Sequence, residues 1–121
     1  MNKSIKCIMP GNIIHLTTRK ELQKVISQNN AFIIDVTATW CGPCKSLKPL
    51  LHEYFEQIKD KFDLVIIDAD DGADAASYLK VRSYPTLISY VNHERSESLV
   101  GFDVEGLKHF IVQSYKKAVY A

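Results

Sequence analysis

Along the chain, apolar residues come in short blocks whose spacing alternates between strand-like and helical. Ile13, Ile14 and Leu16 predict a short strand over 12–17. Thr18 followed by Glu21 is a capping-box pattern and predicts a helix start, with Leu22, Val25 and Ile26 on one face and an end at Gln28-Asn29-Asn30. Residues 31–36 are nearly all apolar, the pattern of a strand covered on both faces. A Trp-Cys-Gly-Pro-Cys turn follows. Leu47, Leu50, Leu51, Tyr54, Phe55, Ile58 and Phe62 then recur at helical spacing, with Pro49 inside the run, where a kink is expected. A second fully apolar strand covers 64–67, and Asp70-Asp71-Gly72 turns the chain into a short helix carrying Ala75, Ala76 and Leu79. Residues 86–91 predict a strand, Asn92-His93 a hairpin tip, and 97–100 the returning strand. Asp103 caps a last helix whose inward face is Leu107, Phe110, Ile111, Tyr115 and Val119.

The order is βαβαβαββα, which predicts an α/β domain. Strands alternating with helices favour parallel pairing, and the final hairpin adds antiparallel strands, giving a mixed sheet with helices on both sides. With 121 residues, 46% hydrophobic, the chain holds one domain, expected over 12–121 behind a short extension over 1–11. Fifteen Lys and Arg against fourteen Asp and Glu leave a net charge of +1. No basic block supports nucleic-acid binding, and no apolar run approaches the ~20 residues of a membrane span. Lys3, Lys6, Arg19 and Lys20 faintly suggest a transit sequence. Pro10-Gly11 cuts the apolar Cys7-Ile8-Met9 short, however, so an uncleaved cytoplasmic chain is expected.

Three cysteines are too few for a disulfide scaffold, and their placement is more informative than their number. Cys41 and Cys44 flank a helix start, where two cysteines can close a small disulfide without unwinding the helix. There the free N–H groups and the dipole favour negative charge, so Cys41 is expected to hold more thiolate at neutral pH. Pro43 suits the first helical turn, and Gly42 leaves room for a partner's backbone. A zinc pair is the competing reading. It needs a second pair, for which only Cys7 and the scattered His15, His52, His93 and His109 are available. Covalent haem attachment needs a histidine where Lys45 stands. No metal is therefore expected. Asp35 interrupts the apolar strand and reads equally well as a buried acid that titrates high or as a strand-end acid facing water. Gly101 reads equally as a site of close approach or as a strand end.

The segment Ile34-Asp35-Val36-Thr37-Ala38-Thr39-Trp40-Cys41-Gly42-Pro43-Cys44-Lys45 resembles the active-site segment of the thioredoxin family. Val81-Arg82-Ser83-Tyr84-Pro85-Thr86 resembles that family's cis-proline loop, and the resemblance extends over about residues 12–120. It implies the thioredoxin fold, a central mixed five-stranded sheet flanked by four helices, and a thiol–disulfide oxidoreductase. Cys41 is then the nucleophile and Cys44 the resolving thiol, with Gly42-Pro43 resembling the reducing members. Asp35, six residues before Cys41, becomes the proton relay behind Cys44. Trp40, Tyr84, a cis Pro85 and Gly101 become substrate contacts, the cis bond freeing the Tyr84 backbone to pair with an extended chain. The implied partners are disulfide-containing substrate proteins and a thioredoxin reductase, through which alone NADPH enters. No prosthetic cofactor is implied, and the working form is a monomer. The chain departs from the family in three places: Ile66 stands near a position often held by lysine, Thr37 replaces a frequent aromatic residue, and His93 replaces a frequent glycine. The lysine's absence leaves open what balances Asp35. Cys7 is read as a free thiol in the extension. A binding module on the same fold and an oxidase or isomerase are the competing functions.

Overall fold

The computed structural model describes residues 10–120, so Cys7 and most of the expected extension lie outside the described residues. In chain order the elements are β1 (Ile13–His15), α1 (Arg19–Gln28), β2 (Ala31–Thr37), α2 (Gly42–Ile58), β3 (Asp63–Asp68), α3 (Ala73–Tyr78), β4 (Thr86–Val91), β5 (Glu94–Val100) and α4 (Val104–Tyr120). The five strands form one mixed sheet in the order β1-β3-β2-β4-β5. β3 is parallel to β1 and β2, which are reached through helical crossovers, while β4 runs antiparallel to β2 and β5.

β2 lies at the centre of the sheet because it is apolar on both faces. Phe32, Ile34 and Val36 join Leu22 of α1 and Ala75 and Ala76 of α3 in a buried cluster on one side. Ile33 joins Leu47, Leu51 and Phe55 of α2 and Leu107, Phe110 and Ile111 of α4 on the other. Asp35, two residues after Ile33, falls on the α2 face. This placement follows from the twofold alternation of a strand.

Local signals account for most element boundaries. Thr18 Oγ1 accepts from the Glu21 N–H at 3.1 Å, and the Glu21 carboxylate accepts from the Thr18 N–H at 3.1 Å, so the capping box is complete. Asp103 Oδ2 accepts from the Gly106 N–H at 2.7 Å and holds the start of α4. Asn92 and His93 have φ values of 53° and 69°, the pair that a two-residue hairpin turn requires. His93 pays for its left-handed backbone in part by donating from Nδ1 to the Ile26 carbonyl at 2.7 Å.

Four expectations are corrected. β1 is shorter than the predicted strand. β5 begins at Glu94, three residues before the predicted start, because so tight a turn lets pairing resume at once through Val91 and Glu94. α2 ends at Ile58; Phe62 is buried from the loop that follows, so it mimics the helical period without being helical. Val119 is exposed, since α4 runs past the edge of the core. α2 itself continues through Pro49.

Candidate active site

β2 delivers the chain to a turn at 38–40, from which α2 starts directly. Cys41 is the N-cap of α2, with extended backbone (φ −98°, ψ 114°), and its Sγ accepts from the Cys44 N–H at 3.2 Å. The sulfur therefore occupies the place where a serine or aspartate oxygen usually caps a helix, facing the positive end of the dipole. Pro43 lies in the first turn, where its missing N–H leaves no bond unmade. Cys41 and Cys44 are joined in a disulfide with Cα atoms 5.3 Å apart. Both are buried, packed with Ala38, Ala69 and Tyr84. Gly42 faces outward, and a Cβ there would meet nothing within 4 Å.

The loop before β4 closes over the disulfide. The Tyr84–Pro85 bond is cis, and Cys41 Sγ lies 3.6 Å from the Tyr84 carbonyl oxygen. Gly101, at φ 87°, donates its N–H to the Pro85 carbonyl at 2.8 Å, which ties the end of β5 to the same loop. Only a glycine adopts that backbone without strain. Trp40 is 64% exposed, which rules out a core role. Its ring meets Tyr84 edge-on, centroids 5.7 Å apart, and its Nε1–H donates to Asp70 Oδ2 at 3.1 Å. Cys41, Cys44, Trp40, Gly42, Pro43, Tyr84, Pro85 and Gly101 thus converge at one end of the sheet.

Asp35 approaches from behind. It is 6% exposed, so the strand-end, water-facing reading is excluded. With Cys44, Lys48, Ile66 and His52 it lines a cavity of about 400 Å³ under the start of α2. Burial pushes its carboxyl up from 3.8 to about 6, while the charge of Lys48 pulls in the opposite direction. Its Oδ1 has no hydrogen-bond partner among the described residues. A carboxyl buried in this way changes charge near pH 6.

Two contributors were not singled out in the sequence, Lys48 and Asp70. Lys48 carried a usable signal, since it lies four residues after Cys44 on the same helix. Asp70 carried none, because nothing in the acidic run over 68–71 says which carboxylate meets the indole. Among the described residues, no group of three or more histidine, cysteine or acidic side chains has a metal-binding arrangement.

The family model named Thioredoxin matches residues 13–113 of the chain. The thioredoxin of Mycoplasmoides gallisepticum is 34% identical over 88 residues, covering 73% of this chain and 87% of that protein. Thioredoxin-1 of Saccharomyces cerevisiae is 30% identical over 99 residues, covering 82% and 95%. Among solved structures, oxidised mitochondrial thioredoxin 3 of S. cerevisiae superimposes with a TM-score of 0.76 at 31% identity, covering 83% of this chain and 93% of that one.

Proposed function

The chain belongs to the thioredoxin family and is a thiol–disulfide oxidoreductase, and from that premise we propose that it works as a reductant of disulfides in other proteins. The observation that carries the assignment of roles is the sulfur of Cys41 at the helix N-cap, with the Cys44 N–H directed onto it at 3.2 Å. When the disulfide is reduced, the same N–H and the dipole stabilise a Cys41 thiolate.

The Cys41 thiolate attacks one sulfur of a substrate disulfide. A Cys41–substrate S–S bond forms, and the other substrate sulfur leaves as a thiolate that takes up a proton. Asp35 then accepts the Cys44 proton, and the Cys44 thiolate attacks Cys41 Sγ. The Cys41–Cys44 bond forms while the mixed disulfide breaks, and the second substrate sulfur leaves with its electron pair. Two electrons have passed from the dithiol to the substrate. Resolution is fast because Cys44 is already held next to Cys41. Trp40, Tyr84, Pro85 and Gly101 form the rim against which an extended substrate chain rests, and the open Gly42 supports close approach of that chain.

Recharging requires a two-electron donor, for which a thioredoxin reductase using NADPH is the partner implied by the family. The Gly42-Pro43 spacer supports the reducing direction, and the cytoplasm is the compartment in which such a dithiol is kept reduced. Insulin reduction coupled to reductase and NADPH tests this reading. The wild-type protein is expected to sustain NADPH oxidation, and Cys41→Ser is expected to abolish it. A pure protein that leaves insulin intact contradicts the proposal.

A further inference from the structure

The family resemblance left open what balances the charge of Asp35, because Ile66 stands near the position where a sheet lysine is frequent. The strand register makes the vacancy concrete. Asp35 is flanked by Ile66 on β3 and Leu87 on β4, both apolar. An ionised carboxylate with one buried oxygen unpartnered is disfavoured unless a charge lies near it.

Lys48 is four residues beyond Cys44 on α2, so the two share a helix face, and both line the cavity that contains Asp35. The charged or titratable groups facing that cavity are Cys44, Lys45, Lys48 and His52 from α2, His15 from β1 and Asp68 from β3. Of these, Lys48 is the one whose charge acts on the Asp35 carboxyl. We propose that Lys48 is the positioning residue for the resolving step, supplying from the helix the counter-charge that the sheet lacks and so keeping Asp35 ionised and ready to take the Cys44 proton. The inference rests on the reading of Asp35 as that proton acceptor. In the step itself the Cys44 S–H proton moves to an Asp35 oxygen, the Cys44–Cys41 bond forms and the Cys41–substrate bond breaks. Lys48 forms and breaks no bond in this step.

Two readouts test the proposal on the full chain. The first is the side-chain carbon titration of Asp35 by NMR in the disulfide form. Lys48→Gln is expected to move the Asp35 midpoint upward by about one pH unit, and Lys48→Arg to return it. The second is single-turnover reduction of insulin by excess reduced protein. At about pH 6.5, Lys48→Gln is expected to be slower by about threefold, the loss of ionised base that such a shift produces, with the gap closing at alkaline pH. Adding Lys48→Gln to Asp35→Asn is expected to change nothing further. An Asp35 midpoint that stays in place in Lys48→Gln overturns the proposal, and so does an equal slowing in the Asp35→Asn background. If Asp35→Asn alone leaves the single-turnover pH profile as in the parent, the relay reading fails instead. The carboxyl titration needs no turnover and still decides whether Lys48 sets the charge state of Asp35.

Discussion

Asp35 is destabilising by construction at neutral pH, and the sign follows from its environment. Burial raises its folded-state value to about 6 from an ordinary 3.8. The folded protein therefore binds this proton more tightly than the unfolded chain does. Its contribution to stability is fully present below about pH 4 and is lost as the pH rises through about 6. The loss amounts to about 3 kcal/mol at alkaline pH. Asp35→Asn in the disulfide form is accordingly expected to be more stable than the parent by about that much at pH 8, with the two converging near pH 4. Urea denaturation midpoints at both pH values check this, and a gap independent of pH contradicts it. In the sequence Asp35 was ambiguous, because an acid in an apolar strand looks the same whether the strand is central or ends in water. Burial against α2 resolved that ambiguity. The sequence places Lys48 one helical turn after Cys44, but that it shares a cavity with Asp35 depends on which face α2 turns toward the sheet.

At the scale of elements, the site depends on where helices begin. α2 is capped by a cysteine sulfur and α1 by a threonine hydroxyl, and the two caps serve different ends. Thr18→Ala removes one half of the capping box and is expected to cost about 1 kcal/mol in stability without altering the rate of insulin reduction. Thermal melts together with the reduction assay separate the two effects. Gly72 is more tightly constrained. A Cβ there would lie 2.8 Å from the Asp68 carbonyl oxygen and 2.8 Å from Ile67 Cγ2. Gly72→Ala is expected to cost about 1–3 kcal/mol, read as a lowered denaturation midpoint. The Thr18 capping box and the hairpin tip at Asn92-His93 were legible in the sequence because each is a local signal carried by nearby residues, whereas the sequence placed Cys41 at a helix start without showing its sulfur as the cap. The end of α2 was not. Phe62 is apolar at a helical interval, and periodicity cannot separate a helix from a buried loop residue that continues its phase.

For the whole molecule, the sheet order gathers residues far apart in sequence. The ends of β2, β4 and β5 meet where Asp35, Cys41, Pro85 and Gly101 converge, an arrangement the residue types suggested but the order β1-β3-β2-β4-β5 produces. Periodicity gave strands and helices without saying which strands are neighbours. The face beside the disulfide presents Trp40 and Val100, 64% and 65% exposed. Apolar surface left open beside a reactive disulfide suits transient capture of other chains, and it needs no strong field in a molecule of net charge +1. Trp40→Ala is expected to raise the KM for insulin severalfold with a smaller change in kcat, since the indole lies on the rim and outside the bond exchange. In the proposed exchange Cys41 attacks the substrate disulfide and Cys44 resolves the mixed disulfide. Incubating reduced Cys44→Ser protein with a disulfide substrate and digesting without reductant tests this most directly. Mass spectrometry is expected to find the substrate cysteine linked to Cys41, with no such adduct in Cys41→Ser. A linkage to another residue, or no mixed disulfide at all, would contradict these roles.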